Sequence, residues 1–339
     1  MVENVVNIYR GEAIESVHSG HFVAVNAEGR VLYKLGEPQT ITYLRSCAKP
    51  FQAIAVVESG AAHRFKFTSE EIAIIAGSHS GEPEHVEVVS RILEKIGLGP
   101  QHLKCGIHVP HYFQARGIIP TADQQFTVLQ HNCSGKHAGM LALCVFKDQP
   151  IDDYLNPRHP VQQLITETIA YICDYPIEKI TIGVDGCSAP VHALPLYNMA
   201  YGFARFVSPH SIPRTKSKVY STVYQAMLDH PRMVAGEKRY DTELMQKCRE
   251  KLIVKGGAEA LNCIGFIERG WGLAAKISDG ATRAIYPFSV EILRQLGVIT
   301  TGELEKLAEF HQKALYNWSN KEVGHIKAEF EIKKGDSPG

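Results

Sequence analysis

Apolar residues form short stretches at the two ends of the chain and recur every three or four positions between them. Residues 21–33 hold two such stretches around a turn-forming cluster at 26–29, which predicts a β-hairpin. Near the other end, expected strands over 270–277 and 282–286 flank a second turn-forming cluster and predict a second hairpin. Strand signals therefore come from both ends of the chain.

The middle of the chain has helical periodicity, and several periodic segments begin at or just after a helix-capping residue. The predicted helices cover 51–59, 69–76, 84–96, 137–146, 161–173 and 217–227. Strands at both ends with helices between them predict an α+β fold in which distant segments form one sheet. No internal repeat or shift in composition divides the chain, so we expect one domain over 1–330 and a loose tail over 331–339.

Composition and charge narrow the classes of function. Among 339 residues, Lys and Arg number 36 and Asp and Glu also number 36, so no excess of one sign points to a nucleic acid or an anionic membrane. Small neutral or zwitterionic ligands fit this balance better. Residues 1–20 lack the apolar stretch of a signal peptide, and no run of about 18 apolar residues follows. We therefore expect a cytoplasmic protein whose eight cysteines are thiols.

The first candidate for chemistry is a serine followed three positions later by a lysine, Ser46 and Lys49. On a helix this spacing puts both side chains on one face, where the amine can take the hydroxyl proton and make the serine a nucleophile. Pro50 is tolerated in the first turn of a helix, so Ser46 is expected at the amino end, where the helix dipole favours an alkoxide. The alternative is that Ser46 only caps the helix and Lys49 is a surface residue.

The second candidate is a possible metal site at Cys133 and Lys136, which share a helical face if a helix starts there. A lysine binds a metal only as the neutral amine. Cys187 could supply a second thiolate, and such soft ligands favour zinc over magnesium or calcium. The alternative is that these cysteines are buried structural thiols, because they do not form a paired Cys-x-x-Cys motif.

Three further positions are ambiguous by themselves. Ser78 lies in a Gly-bounded loop, 77–83, where small residues allow the backbone to approach a ligand. The segment 255–257, Lys-Gly-Gly, is interpreted as a turn more readily than as a strand edge that aims Lys255 at a site. His137 is a candidate acid or base, but in a chain with 16 histidines a structural role is the simpler interpretation.

Taken together, these segments resemble a known family, the rhizobial-type zinc-binding L-asparaginases, also called the asparaginase II family. The resemblance spans nearly the whole chain. It is carried by the segments 45–50, 78–83, 105–108, 131–140, 185–187, 230–236, 255–259 and 270–272. Ser188 and Ala260 depart from the pattern, because glycine is expected at both positions. These departures concern the shape of loops rather than a reacting group.

The resemblance implies hydrolysis of the side-chain amide of L-asparagine to L-aspartate and ammonia. It also implies a homodimer and a fold like that of serine β-lactamases and penicillin-binding proteins, an antiparallel sheet covered by helices. In this sequence Ser46 would be the nucleophile and Lys49 its base. Ser78 and Lys255 would form a second pair that relays protons or stabilises the intermediate.

The resemblance further implies a Zn²⁺ ion held by Cys133, Lys136 and Cys187. Zinc would keep the Lys136 amine neutral and would leave it no lone pair for proton transfer, so the metal would organise the site rather than activate water. Lys49 acts as a base only if its pKa falls from about 10.4 towards neutrality, which burial beside other cations favours.

Free asparagine also needs partners for its α-carboxylate and its α-ammonium group. The candidate substrate-binding residues are Arg45 for the carboxylate, Asp185 or Glu82 for the ammonium group, and Asn132 and His137. For Arg45 the alternative is a structural ion pair.

Two other classes of protein are weighed against a serine amidohydrolase. One is a zinc hydrolase that uses metal-bound water, and the other is a non-enzymatic, zinc-stabilised binding protein. The intact serines and lysines argue against the second. Glutamine as the main substrate also stays open, because one methylene changes binding by only about 1–3 kcal/mol.

Overall fold

The computed structural model of the chain describes residues 3–208, 212–248 and 250–335. Its strands are β1 (Glu3–Arg10), β2 (Ala13–Asn26), β3 (Val31–Leu35), β4 (Ile41–Tyr43), β5 (Thr181–Val184), β6 (Pro190–Pro195), β7 (Leu252–Gly257), β8 (Leu261–Phe266), β9 (Trp271–Ile277), β10 (Lys313–Tyr316), β11 (Glu322–Ala328) and β12 (Lys333–Lys334). Its helices are α1 (Lys49–Glu58), α2 (Ala61–Arg64), α3 (Ser69–Ile75), α4 (Pro83–Lys95), α5 (His111–Arg116), α6 (Ser134–Phe146), α7 (Pro160–Cys173), α8 (Leu196–Val207), α9 (Arg214–Asp229), α10 (Pro231–Val234), α11 (Tyr240–Lys247), α12 (Thr282–Gln295), α13 (Thr301–Lys306) and α14 (Ala308–His311).

One large antiparallel sheet is built from both ends of the chain. Its strand order is β10-β11-β1-β2-β9-β8-β7, with β3 beside β2 and β12 beside β3. The central contact joins the N-terminal β2 to the C-terminal β9, with Phe22 opposite Ala275. The predicted sheet of N- and C-terminal segments is therefore confirmed. A small second sheet of order β4-β6-β5 was not predicted.

Helices cover both faces of the central strands. Phe22 and Val23 are successive residues of β2 and point to opposite faces, yet both are fully buried. Phe288 of α12 packs edge-on against Phe22, with ring centroids 6.2 Å apart. Helix α8 lies so close to β9 that a Cβ on Gly272 would be 1.9 Å from a carbonyl oxygen of that helix. The fold is α+β, as predicted.

The six predicted helices are confirmed, with ends that differ by no more than three residues. The N-terminal hairpin is confirmed as β2 and β3. The second hairpin is wrong in its latter half, because residues 282–286 begin α12. Ile285, Phe288 and Ile292 are buried at spacings of three and four, so the helical period continues beyond the short stretch that looks like a strand.

The turn predicted at 255–257 is also wrong, because these residues end β7 and pair with β8. The chain reverses at residues 258–260 instead. There Glu259 and Ala260 take left-handed φ values of 59° and 53°. Since β7 is the last strand on its side of the sheet, Lys255 is a strand-edge lysine.

The segment expected to form a tail begins within the sheet. Lys333 and Lys334 pair with β3, and the backbone N–H of Ile332 donates to the side chain of Gln295 at 3.1 Å. Residues 336–339 lie outside the described residues. Among the helices of the three described ranges, none is long and apolar enough to cross a membrane.

Candidate active site

Lys49 opens α1, and its amine lies inside a buried polar cluster. Its Nζ donates to Ser78 Oγ at 2.8 Å and to the carbonyl oxygen of Asn132 at 3.0 Å. Ser46 lies in the short 3-10 turn directly before α1. Among the described residues, the Ser46 hydroxyl has no hydrogen-bond partner. The serine that is hydrogen-bonded to the lysine is therefore Ser78 rather than Ser46.

The surroundings of Lys49 lower the pKa of its amine. Only 1% of the residue is exposed. Burial is the main cause that lowers the pKa of Lys49 to about 8; the positive charges of Lys136 and Lys255 act in the same direction, and the charge of Cys133 opposes them. An amine with this pKa is neutral in about a tenth of the molecules at pH 7 and can then accept a proton.

Two glycines allow the elements around this cluster to approach one another. A Cβ on Gly135, in the first turn of α6, would lie 2.5 Å from the carbonyl oxygen of Ile74 in α3. A Cβ on Gly77 would lie 2.5 Å from a carbonyl oxygen of α10. The next residue, Ser78, donates its backbone N–H to Val234 at 2.7 Å. These contacts hold Ser78 between α6 and α10, where it meets Lys49.

Lys255 projects from the edge strand β7 into the same buried region. Its Nζ donates to the carbonyl oxygen of Gly256 at 2.8 Å and lies 3.4 Å from Asp241 Oδ2. Asp241 also accepts the backbone N–H of Gly256 at 2.9 Å. In the described residues Ser78 and Lys255 are not hydrogen-bonded to each other, so their pairing stays a prediction. Asp241 was not predicted, because no local motif marks it.

The cysteine and lysine residues expected to hold zinc are brought together. Cys133 directly precedes α6, Lys136 lies in its first turn, and Cys187 comes from the turn between β5 and β6. Lys136 Nζ is 2.8 Å from Cys187 Sγ. The Cys187 thiol donates to Cys133, which lowers the pKa of Cys133 well below its usual value and raises that of Cys187. All three residues are buried.

These donors fit a zinc ion in their chemistry and convergence. Two sulfur atoms and one amine nitrogen meet, and the sulfur of Cys133 already favours the thiolate that a metal needs. Burial lowers the pKa of Lys136, but the two sulfurs outweigh it and raise the pKa overall, so the ammonium would lose a proton on binding metal. Nowhere in the described ranges are three His, Cys, Asp or Glu residues placed to hold a metal, and this cluster has only two cysteines beside its lysine.

Two of the charged residues expected to bind the substrate, Arg45 and Asp185, form an ion pair with each other, and their contact with substrate stays a prediction. Arg45 Nε lies 2.9 Å from Asp185 Oδ1, which also accepts the backbone N–H of Gly186 at 2.9 Å. Arg45 has a left-handed φ of 46°, which is strained for a residue with a side chain. The strained residue directly precedes Ser46, and strain of this kind clusters at functional sites.

Two cavities meet at Ser46. The first has a volume of about 310 Å³ and is lined by the Arg45–Asp185 pair and by Cys133 and Cys187. The second has a volume of about 490 Å³. Its lining includes Ser78, Lys238, Arg239, Tyr240, Asp241, Tyr286 and Phe310. The residues that line both are Ser46, His111, Asn132 and Ala258.

Asn132 and His111 line both cavities, and His108 lines the first beside them. The Asn132 side-chain amide is 3.2 Å from His111 Nε2, and its backbone N–H donates to His108 Nε2 at 3.1 Å. Burial, aided by the charge of Arg239, lowers the pKa of His111 to about 3, so this ring is neutral. Asn132 was predicted from the sequence, whereas neither histidine was assigned a role. His108 lies in the segment 105–108 that carries the family resemblance, and the spacing of three residues is the local signal that could have marked His111.

Two of the candidate substrate-binding residues, Glu82 and His137, line neither of the two cavities. Glu82 is buried beside α4, where it accepts the backbone N–H of Glu237 at 3.0 Å and pairs with Arg232 at 3.4 Å. His137 is fully buried, and its Nδ1 lies 2.7 Å from the Tyr154 hydroxyl. Their contact with substrate stays a prediction.

The site combines a buried lysine of lowered pKa, a serine hydrogen-bonded to that lysine, and a second serine that lines the same cavity. This combination is typical of an enzyme that activates a hydroxyl nucleophile. Comparison with known families makes this class more specific. The sequence model of a family described as L-asparaginase II matches residues 6–328. The chain therefore belongs to the L-asparaginase II family, which is a family of amidohydrolases.

Comparisons with individual proteins add distant likenesses. No curated protein matches the chain. Among solved structures, a β-lactamase from Mycobacterium bovis is 12% identical, with a TM-score of 0.42, and the match covers 81% of this chain and 94% of that one. A candidate β-lactamase from Bacteroides dorei is 11% identical, with a TM-score of 0.41 and coverage of 81% and 93%.

Proposed function

We propose that the protein is an L-asparaginase that hydrolyses the side-chain amide of L-asparagine to L-aspartate and ammonia. Family membership supports amide hydrolysis. The observation that carries the proposed chemistry is the hydrogen bond of 2.8 Å between Lys49, a buried amine with a pKa of about 8, and Ser78, beside the cavity that Ser46 also lines. This hydrogen bond supports a proton acceptor at Ser78, on the wall of the cavity that Ser46 also lines.

Ser46 is the proposed nucleophile because it lines both cavities and its hydroxyl is not held by another described residue. Its Oγ attacks the amide carbon, and its proton passes to Lys49 directly or through Ser78. The amide C–N bond then breaks, the proton is returned to the nitrogen, and ammonia leaves. Water hydrolyses the resulting aspartyl ester on Ser46 and restores the free serine. Lys255 contributes positive charge that keeps the Lys49 amine poised to lose its proton.

Cys133, Lys136 and Cys187 are the proposed ligands of a zinc ion. When bound, zinc would supply a Lewis acid at the wall of the first cavity. The three residues tie the start of α6 to the turn after β5, and so fix Asn132 and Asp185 at the cavity. This supports an organising metal as the leading proposal.

A hydrolase that uses metal-bound water is the second candidate, because both cysteines line the first cavity. Release of ammonia from L-asparagine by wild type, Ser46→Ala and a metal-stripped sample separates the two mechanisms. Loss in Ser46→Ala with partial activity after stripping supports the serine mechanism. Activity that survives in Ser46→Ala and disappears on stripping supports metal-bound water instead. L-Glutamine in the same assay decides the preferred amide.

We also propose that the enzyme works in the cytoplasm as a homodimer. All eight cysteines are free and buried, which supports a reducing compartment. The dimer rests on the family resemblance. Sedimentation of the purified protein at several concentrations tests it, and a single species with the mass of one chain would contradict it.

A further inference from the structure

Arg239 differs from the other arginines around the site because, in the described part of the chain, it has no acidic partner. It is half-buried directly before α11, and its Nη1 donates to Ser80 Oγ at 3.3 Å. No carboxylate in the described ranges lies within ion-pair distance of it, whereas Arg45, Arg116 and Arg232 are each paired with one. A half-buried guanidinium that has lost part of its water favours an anion as partner, above all a planar carboxylate.

The cavity that Arg239 lines also holds the reacting groups. Ser46 and Ser78 lie on the wall of the same space of about 490 Å³. Asparagine has nine non-hydrogen atoms. If each atom takes as much space as one molecule of liquid water, about 30 Å³, asparagine needs about 270 Å³ at most. Because two carbon atoms separate its α-carboxylate from its amide, one cavity can hold both ends.

The alternative carboxylate receptor, Arg45, is already engaged. Its ion pair with Asp185 at 2.9 Å is partly buried, with 25% and 12% of the side chains exposed. A substrate carboxylate that displaced Asp185 would leave that carboxylate unpaired, which is costly in a partly buried place. The neighbouring Lys238 lines the second cavity as well, but it is exposed, so its charge keeps more of its water than that of Arg239.

We propose that Arg239 is the receptor for the α-carboxylate of the substrate, and that the second cavity is the amino-acid binding site. This inference rests on the proposed asparaginase function. The α-carboxylate would lie against the guanidinium, and the side-chain amide would reach Ser46. The Arg45–Asp185 pair then serves to hold the turn that carries Cys187, rather than to bind substrate.

The test compares two substrates that differ only in the α-carboxylate, L-asparagine and β-alaninamide. Arg239→Gln should lower kcat/KM for L-asparagine on the order of 10- to 100-fold, mainly through KM. For β-alaninamide, which lacks the carboxylate, the same variant should leave kcat/KM unchanged. Arg116→Gln makes the same exchange at an arginine that pairs with Glu237 and lines neither cavity, so it is the matched control and should have little effect on either substrate. An equal loss on both substrates, or no loss on L-asparagine, overturns the assignment.

Calorimetry on the products keeps the inference separate from the proposed function. Wild type should bind L-aspartate more tightly than β-alanine, which lacks the α-carboxylate, and Arg239→Gln should remove that difference. Arg239→Lys, which keeps the charge without the planar fork, should retain part of it. If wild type releases no ammonia from either amide, the proposed function fails while this binding result still decides the carboxylate site. Equal binding of L-aspartate and β-alanine by wild type overturns the site itself.

Discussion

The amine of Lys49 is hydrogen-bonded to the hydroxyl of Ser78 at 2.8 Å, although the two residues are 29 positions apart in the chain. The Ser-x-x-Lys spacing alone points to Ser46 as the partner of this lysine. The structure instead places Ser78 as the hydroxyl through which Lys49 can exchange a proton. The two serines therefore have different surroundings, one held by the lysine and one free at the junction of two cavities.

This difference predicts unequal effects of removing each hydroxyl. Ser46→Ala should abolish ammonia release from L-asparagine, because no covalent intermediate can form. Ser78→Ala should keep a measurable rate, lower on the order of 10²-fold, since a water molecule can replace a proton relay but not a nucleophile. Steady-state kinetics and the trapping of an ester with mass spectrometry check both. An ester found on Ser78 instead of Ser46 would reverse the two roles.

The lowered pKa of Lys49 predicts the pH dependence of the reaction. A base is active in its neutral form, and below a pKa of about 8 the neutral fraction rises tenfold for each pH unit. We expect kcat/KM for L-asparagine to rise with pH up to about 8 and then level off. Lys49→Arg keeps the charge but cannot lose its proton, so it should be inactive at all these pH values. A wild-type profile that is flat below pH 8 would contradict Lys49 as the base.

The convergence of Cys133, Lys136 and Cys187 predicts one zinc ion per chain. Metal analysis of the purified protein should find it, and Cys133→Ser and Cys187→Ser should each lose it. Cys144→Ala is the matched control, because Cys144 is an equally buried thiol on α6 outside this cluster. Since Lys136 must release a proton to bind zinc, the affinity should rise with pH. Full zinc content in both Cys133→Ser and Cys187→Ser would show that the metal binds elsewhere.

The sequence predicted the parts of this molecule that local patterns encode. Apolar periodicity and capping predicted the two helices at whose starts Lys49 and Lys136 lie, although the predicted ranges, 51–59 and 137–146, begin just after both lysines. The Ser-x-x-Lys spacing pointed Lys49 to Ser46, whereas the serine hydrogen-bonded to it is Ser78. The strand that carries Lys255 was missed, because two consecutive glycines at 256–257 are typical of a turn. Pairing with β8 keeps them in the sheet, and this pairing is a tertiary contact that no local pattern reports.

The remaining site residues depend on contacts between distant segments. Asp241 and Arg239 follow α10, far along the chain from Ser46, and the fold brings all three to the wall of one cavity. Whether Arg45 binds substrate or a neighbour depends on Asp185, which is 140 positions away. A sequence pattern names such residues as charged but does not say which charges are already paired.

The two departures from the family pattern predict different gains in stability when glycine is restored. Ser188 has a left-handed φ of 67°, is exposed, and lies in the turn that joins Asp185 to Ala189. Ser188→Gly relieves this strain but adds the entropy cost of glycine, so its free energy of unfolding should rise by about 0.5–1 kcal/mol. Ser188→Ala keeps the strain and should gain nothing.

Ala260 is also left-handed but only 1% exposed. Glycine there relieves the strain but loses a buried methyl group worth about 0.8 kcal/mol, so Ala260→Gly should leave the free energy of unfolding nearly unchanged. Urea unfolding of the three variants measures these differences, and a gain in Ser188→Ala equal to that in Ser188→Gly would show that strain is not the cause.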